Sequence, residues 1–167
     1  VGPLWTPSPQ RVADANITAF TRRVEARHRV SLPDYDALWR WSIDHPDAFW
    51  REVWEDAGVI GTPGARVLVD GDRMPGARFF PDATLNFARN LIERRPDDDA
   101  GDALVFRGED KARARVSHAE LRASVSRVAR AFDAMGVKAG DRVAAIVPNM
   151  PETLMAMHGG AARGAIW

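Results

Sequence analysis

Cysteine is absent from the 167-residue chain. Disulfides, thiolate zinc sites and cysteine nucleophiles are therefore excluded, and the redox compartment cannot be read from cysteine usage. Long hydrophobic runs are also absent, since no apolar stretch approaches the roughly 20 residues that a membrane helix needs. The first residues, VGPLW, lack the basic-then-apolar layout of a signal peptide. These absences predict a cytoplasmic protein with no membrane partner.

An excess of charge of either sign is missing as well. The 23 basic and 23 acidic side chains cancel, so the chain lacks the electrostatic footprint of a nucleic-acid or anionic-membrane binder. The only lysines, Lys111 and Lys138, fall in predicted turns and are interpreted as solvated surface charge. With 46% hydrophobic and 28% charged residues, the composition is that of a globular domain with a core.

Helix signals fill the first third of the chain. Ser8, followed by proline, predicts a helix start, and we expect this helix to run to about Arg27. Asp34 starts a second helix, and the sequence HPD from His45 starts a third, which Gly58 ends. The last two predicted helices carry four tryptophans: Trp39, Trp41, Trp50 and Trp54. Core packing is the favoured interpretation, and an aromatic docking surface is the alternative.

Residues 59–81 are predicted to be loop with short strands, because glycines and prolines separate short extended runs at 67–69 and 77–80. Thr84 is then predicted to cap a helix that carries Leu85 and ends before residues 94–99 (RRPDDD). This proline-broken, polar stretch is the best boundary candidate. We therefore divide the chain into a mostly helical region, 1–96, and a second region, 97–167.

The second region begins with a predicted hairpin of residues 103–106 and 113–116. Ser117 and Glu120 predict a capping box for a helix that ends at Gly136.

Residues 143–147 (VAAIV) are too apolar for a strand with one solvent-exposed face. They therefore predict a strand of a parallel sheet that is covered on both faces. A helix follows from residues 148–151 to about Arg163, and residues 165–167 start another strand. Strand, helix and strand make a right-handed βαβ unit. One strand and a stub do not make a finished sheet, so we expect the chain to be cut from a longer one.

Several segments resemble the N-terminal region of acetoacetyl-CoA synthetases: residues 3–8 (PLWTPS), 35–42 (YDALWRWS) and 47–50 (DAFW). Residues 73–81 (RMPGARFFP) and 85–91 (LNFARNL) are similar to the segment with which acetyl- and acetoacetyl-CoA synthetases enter their adenylating domain. Phe79 stands where that family has tryptophan. Residues 90–95 (NLIERR) lack the Cys-Leu-Asp-Arg-His ending of acetyl-CoA synthetases, which favours acetoacetate.

Three later segments are similar to the opening βαβ unit of adenylate-forming enzymes generally: residues 140–144 (GDRVA), 148–152 (PNMPE) and 164–167 (GAIW). The resemblance implies an α/β fold, with a helical leader followed by the incomplete start of an adenylating domain. It also implies a two-step ligation in which ATP, Mg²⁺ and coenzyme A serve the full-length parent and acetoacetate is the substrate.

The resemblance implies no catalytic, cofactor-binding or metal-binding residue within this chain. The family's loop Thr-Ser-Gly-Thr-Thr-Gly-x-Pro-Lys is absent, and so are its later ribose-binding aspartate and C-terminal lysine. We therefore expect the chain alone to be inactive. The alternatives are a related synthetase that uses acetate or propionate, or a non-catalytic, tryptophan-rich interaction module.

Local features favour structural roles over chemistry. Residues 159–164 (GGAARG) lie late in a predicted helix without the Lys-Ser/Thr of a phosphate loop, so close helix–sheet packing is expected. Residues 97–99 (DDD) are interpreted as a solvated linker rather than a cation site, and Asn149 as a helix cap. The four histidines lack ligand spacing and are assigned to capping, surface or packing roles: His28, His45, His118 and His158.

Overall fold

The computed structural model describes residues 2–93, 99–109 and 111–167. The chain divides into two compact units. The first, called the helical unit, comprises residues up to Val59 together with Pro63–Ala83. The second unit comprises Ile60–Thr62 and Thr84–Trp167. The domain boundary predicted between residues 96 and 97 lies outside the described residues and stays a prediction.

Four helices build the helical unit: α1 (Pro9–Ala13), α2 (Asn16–His28), α3 (Tyr35–Asp44) and α4 (Pro46–Asp56). Ser8 caps α1 and Asp34 caps α3, as predicted, each side chain accepting a backbone N–H. The prediction of one helix from Ser8 to Arg27 is wrong. Ala15 is extended, and the Thr18 hydroxyl donates to the Val12 carbonyl at 2.6 Å, so the chain turns between two helices.

A small apolar core holds α2, α3 and α4 together. Its buried members are Phe20, Val24, Leu32, Leu38 and Trp41. The Phe20 and Phe49 rings meet edge to face, with their centroids 5.9 Å apart, as aromatic pairs prefer. The core therefore takes side chains from α2 and α3 and from the connection between them.

The tryptophans do not all pack as predicted. Trp41 is 7% exposed and belongs to the core, whereas Trp39 is 52% exposed. Trp50 and Trp54 pack against the loop that follows, with ring centroids 5.3 Å from Phe79 and 4.8 Å from Phe80. Trp39 lies two residues from Trp41 on α3, and side chains two apart on a helix do not face the same side.

A two-stranded sheet in the same unit joins β2 (Leu68–Val69) to β3 (Arg78–Phe79), in antiparallel register. The prediction of loop with short strands is confirmed here. Arg66 pairs with Asp82 across the loop. This ion pair lowers the pKa of Asp82 below its ordinary value, chiefly through the hydrogen bond from the guanidinium.

The second unit begins with β1 (Gly61–Thr62), which pairs antiparallel with β4 (Thr84–Leu85). The predicted helix cap at Thr84 is wrong, because Thr84 and Leu85 are in this strand pair. A Cβ at Gly61 would lie 2.6 Å from the Thr84 carbonyl oxygen, so only glycine allows this approach. The helix starts two residues later as α5 (Phe87–Ile92), capped by Asn86.

The predicted hairpin and its helix are confirmed. Strands β5 (Asp102–Arg107) and β6 (Arg113–Ser117) pair antiparallel, with a register shift between Asp102 and Leu104. Helix α6 (His118–Ala134) follows, and Ser117 and Glu120 form the capping box at its start. Its buried residues are Leu121 and Val125.

Helix α7 (Pro151–Ala162) completes the unit and packs on α6. The strand predicted at residues 143–147 is not formed as a strand. The one strand pairing at this place among the described residues is an isolated parallel bridge between Arg142, just before the predicted strand, and Ile166. The parallel direction agrees with the prediction, but burial on both sides does not, because the side chain of Ile146 is 106% exposed.

Candidate functional site

The connection before α7 is where an α/β sheet would place a ligand, at the carboxyl end of a parallel strand. Met150, and not Asn149, occupies the N-cap position, and no side chain caps the helix. The Thr153 hydroxyl instead donates to the Pro148 carbonyl at 2.8 Å and fixes the turn. The predicted capping role of Asn149 is therefore wrong, and Asn149 is exposed.

Gly159 and Gly160 lie inside α7 and are not part of a loop. A Cβ at Gly159 would lie 2.7 Å from Val128 Cβ on α6, too close for any side chain. The close packing predicted for these glycines is confirmed, but the partner is a helix rather than a sheet. Backbone N–H groups committed to a helix interior cannot hold a phosphate, so this stretch has no phosphate-loop geometry.

Two asparagines, Asn86 just before α5 and Asn90 within it, make hydrogen bonds to other elements that the sequence analysis did not predict. We call this pair the asparagine clamp. Asn86 Oδ1 accepts the Arg89 N–H, while its Nδ2 donates to the Ala161 carbonyl at 3.0 Å. Asn90 accepts the Ile60 N–H at 2.8 Å and donates to the Ile60 carbonyl at 2.9 Å. The clamp, Asn86 with Asn90, thus ties α5 to the last turn of α7 and to the residue before β1.

The clamp has a partial signal in the sequence. Asn86 and Asn90 are four residues apart, so they lie on one face of a helix. Asparagine is a weak helix former, and its amide can pair with both a backbone donor and a backbone acceptor. The pairing with Ile60 and Ala161 depends on tertiary structure and has no local signal.

His158, on α7, is buried. Its Nδ1 donates to the Leu154 carbonyl at 2.6 Å, one turn earlier, and its ring stacks on Phe87 with centroids 6.2 Å apart. The predicted packing role is confirmed for this residue. An Nδ1 committed to a carbonyl leaves no free pair there for a metal.

The helical unit holds a buried carboxylate that the sequence did not indicate. Glu52 on α4 is 1% exposed, and its Oε1 lies 3.1 Å from Arg27 Nη1 and 2.9 Å from His28 Nε2. Its Oε2 is 3.9 Å from Arg23 Nε and has no hydrogen-bond partner among the described residues. We call Glu52, Arg23, Arg27 and His28 the Glu52 cluster.

Charge compensation explains the Glu52 cluster. A buried carboxylate is stable only beside cations and donors, and three residues of α2 supply them. Arg27 also pairs with the exposed Glu55. The hydrogen bond to Glu55, followed by the charge of Glu52, raises the pKa of Arg27, and the same hydrogen bond lowers the pKa of Glu55. The cluster joins α2 to α4.

A largely apolar groove of the helical unit has a volume of about 320 Å³. Its lining includes Ile17, Phe20, Leu38, Trp39 and Phe49. Asp56 is the only carboxylate in the lining. A groove of this chemistry can hold an apolar group. Its lining also carries the hydroxyls of Tyr35 and Ser42, but it includes no histidine to act as their base.

Metal-ligating side chains are not gathered at any one place in the part of the chain that the structure describes. Across the described ranges, no three histidine, aspartate or glutamate side chains come close enough to hold an ion. Asp97 and Asp98 lie outside the described residues, and Asp99 pairs with Arg122. The described residues therefore bring together no set of ligands for Mg²⁺.

Among the described helices, none is long and apolar enough to cross a membrane.

Comparisons with known proteins agree along the whole chain. Residues 35–91 match the family described as acetyl-coenzyme A synthetase N-terminus, and residues 90–167 match the family described as AMP-binding enzyme. Acetoacetyl-coenzyme A synthetase of Rhizobium meliloti is 50% identical over 99% of this chain and 25% of its own length. Acetyl-coenzyme A synthetase of Deinococcus radiodurans is 35% identical over 85% of this chain and 22% of its own length.

A solved structure supports the same fold. The acetoacetyl-CoA synthetase from Streptomyces lividans aligns with a TM-score of 0.85 and 40% sequence identity, over 100% of this chain and 26% of that chain. The mixed helix–strand fold predicted from the sequence is thereby confirmed. The chain spans about a quarter of the length of the relatives that it matches. Over its whole length the chain is similar to the N-terminal part of acetoacetyl-CoA synthetases, and from residue 35 onward it matches the acetyl-coenzyme A synthetase N-terminus and AMP-binding enzyme families in turn.

Proposed function

We propose that this chain is the N-terminal part of an acetoacetate–CoA ligase. The whole enzyme would join acetoacetate to coenzyme A, with cleavage of ATP to AMP and pyrophosphate. Use of ATP and coenzyme A is general to the matched family, while acetoacetate, Mg²⁺ and a cytoplasmic location are parts of this proposal. Identity of 50% along 99% of the chain to an acetoacetyl-coenzyme A synthetase carries it.

The chain's own residues contribute support rather than chemistry. The Glu52 cluster and the apolar core fix α2 against α4. The clamp of Asn86 and Asn90 and the glycine contact at Val128 fix α5, α6 and α7. Rigid elements of this kind hold a catalytic constellation that other residues supply. We therefore expect the 167 residues alone to bind no ATP and to form no acyl-adenylate.

A pyrophosphate-release assay with acetoacetate, ATP, Mg²⁺ and coenzyme A tests the proposal. The isolated chain should give no signal above buffer. A chimera in which this chain replaces the matching first quarter of the Rhizobium meliloti enzyme should be active, because half of the replaced residues are identical. Pyrophosphate release by the isolated chain, or a folded chimera without activity, would contradict the proposal.

A ligase for acetate is the second candidate, favoured by the 35% identity to the Deinococcus radiodurans acetyl-coenzyme A synthetase. A second chimera, made with the remainder of that enzyme and assayed with acetate, separates the two. We expect the acetoacetate chimera to retain the larger fraction of its parent's kcat/KM. The comparisons do not favour the tryptophan-rich interaction module.

A further inference from the structure

Trp39 is a tryptophan that the core of the helical unit does not use. Its side chain is 52% exposed, and it borders the apolar groove of about 320 Å³ between α2, α3 and α4. We call this the Trp39 groove. Two more side chains of the lining, Ile17 and Tyr35, are 48% and 65% exposed. Burial of such side chains would be favourable, so the rim of the groove is an apolar surface that a ligand can cover.

Helix periodicity builds the Trp39 groove, because residues three, four and seven positions apart lie on one face of a helix. The lining has this spacing on two helices: Tyr35, Leu38, Trp39 and Ser42 on α3, and Phe49, Val53 and Asp56 on α4. Phe20 of α2 and Leu38 are the buried members of the lining. A largely apolar pocket of about 300 Å³ or more, with a few polar groups, is the usual form of a small-molecule site.

The charge in the lining of the Trp39 groove is negative. Asp56 is the one formally charged residue of the lining. Its Oδ1 accepts a hydrogen bond from Arg23, while its Oδ2 accepts none within the described ranges. Arg23 is also shared with Glu52, whose Oε2 lies 3.9 Å from Arg23 Nε. The carboxylate of Asp56 therefore keeps an acceptor for a cationic group and disfavours an anionic one.

We propose that the Trp39 groove binds a small molecule that has an apolar body and an ammonium group. The body packs on Trp39 and Leu38, and the ammonium group donates to Asp56 Oδ2. Aromatic rings of the lining add to the preference for a cation, because the face of such a ring attracts positive charge. Phe20 already shows this contact, since the Arg23 guanidinium lies 5.5 Å from the centroid of its ring. The inference does not depend on the proposed function.

Three probes that share one ring system and differ in charge test the proposal: naphthylethylamine, a cation at neutral pH, naphthylethanol, which is neutral, and naphthylacetate, an anion. Two-dimensional NMR of the 167-residue chain, with its indole N–H signals assigned, reports both affinity and place. We expect naphthylethylamine to bind with a Kd below about 1 mM and naphthylacetate to bind at least about tenfold more weakly. The alcohol should fall between them. The indole signal of Trp39 should shift, whereas that of Trp5, 67% exposed and outside the lining, should not.

Two asparagine substitutions form a matched pair, because each removes one exposed carboxylate. Asp56→Asn acts within the lining, and Asp44→Asn acts on α3 outside it. We expect Asp56→Asn to bind the three probes within about threefold of one another and Asp44→Asn to keep the wild-type ranking.

A second pair tests the ring itself. Trp39→Ala and Trp5→Ala each remove an exposed indole, so neither change removes core packing. We expect Trp39→Ala to weaken naphthylethylamine binding about tenfold, as loss of an aromatic anchor does, and Trp5→Ala to leave it unchanged.

If the isolated chain does not fold, isothermal titration calorimetry of the chimera described above gives the same ranking of probes without turnover. Equal affinity for the three probes, a preference for naphthylacetate, or an unchanged preference in Asp56→Asn would overturn the inference. Equal shifts of the Trp39 and Trp5 signals would also overturn it, because the probe would then bind any exposed indole. Dimerisation of the chain that buries Trp39 and excludes naphthylethylamine would make a second copy the occupant and would overturn it as well.

Discussion

At the scale of single residues, Glu52 is the side chain whose environment departs most from sequence expectation. Glutamate in the middle of α4 would ordinarily face solvent, yet it is 1% exposed and lies against two arginines and a histidine of α2. Replacing one partner of a buried pair leaves the others uncompensated, so the loss exceeds that of a surface ion pair. The neighbouring Glu55 pairs with the same Arg27 at the surface and provides a control.

We expect Glu52→Gln to lower the free energy of unfolding by about 2 kcal/mol, because Arg23, Arg27 and His28 lose their shared anion. Glu55→Gln, which removes an exposed partner of Arg27, should cost much less than Glu52→Gln, because solvent screens a surface ion pair. Urea denaturation followed by circular dichroism measures both. Equal losses for the two substitutions would mean that Glu52 is not electrostatically coupled to α2.

The two glycines of α7 allow a second comparison between neighbours. Gly159→Ala places a Cβ 2.7 Å from Val128 Cβ, so α6 and α7 must separate, and we expect a loss of about 2 kcal/mol. Gly160→Ala places its Cβ 3.6 Å from the Phe132 ring, an ordinary contact. Since alanine is the better helix former, Gly160→Ala should be neutral or stabilising by up to about 1 kcal/mol. Thermal unfolding measures the stability of both variants. An unchanged stability of Gly159→Ala would contradict the tight contact with Val128.

At the scale of elements, local signals predicted the structure well where the stabilising partner lies within a few residues. Ser8, Asp34 and the box of Ser117 with Glu120 cap their helices as predicted, because a cap needs only the next turn. The β5–β6 hairpin is likewise a short-range pairing.

Elements that depend on distant partners were predicted less well. Thr84 and Leu85 look like a helix start, but they pair with Thr62 and Gly61, more than twenty residues earlier. Residues 143–147 look like a buried strand, but the described residues provide only the pairing at Ile166. The Glu52 cluster and the asparagine clamp depend on the same kind of distant contact. Polar residues brought together by tertiary packing have no spacing rule in the sequence.

The capping box of α6 predicts a dependence on pH. The Ser117 N–H, followed by the Ser117 hydroxyl, holds the pKa of Glu120 below its ordinary value of 4.5. A depressed folded-state pKa means that this contribution to stability is full above the unfolded-state value and is lost as pH falls through the folded-state value. Stability of the wild-type chain should therefore decrease as pH falls below about 4.5.

Ser117→Ala should cost about 1 kcal/mol at neutral pH, because the Glu120 N–H loses its acceptor. Ser126→Ala, an exposed position in the interior of α6, should change stability by less than about 0.5 kcal/mol. Glu120→Gln should weaken the acid dependence. Urea titrations at neutral and acidic pH measure all three variants, and an unchanged acid dependence in Glu120→Gln would mean that other carboxyl groups dominate it.

At the scale of the whole molecule, packing and pairing are unevenly distributed. Val24 is fully buried in the helical unit, and the β5–β6 ladder pairs along most of its length. Residues 144–147, in contrast, are exposed and form no backbone hydrogen bond among the described residues. Local opening costs least where few contacts and hydrogen bonds must be broken. The chain therefore contains well-protected and poorly protected segments, although both kinds were predicted to be regular structure.

Native-state amide exchange should resolve this difference within the second unit. The paired amides of β5 and β6 should be protected, because exchange there requires opening of the ladder. Ala144 to Val147 should exchange at close to the rate of an unstructured peptide. The Val143 amide, which donates to Ile166, should fall between them. Protection of residues 144–147 in a chain shown to be monomeric would contradict this prediction, because it would mean that the parallel pairing extends beyond the single bridge between Arg142 and Ile166.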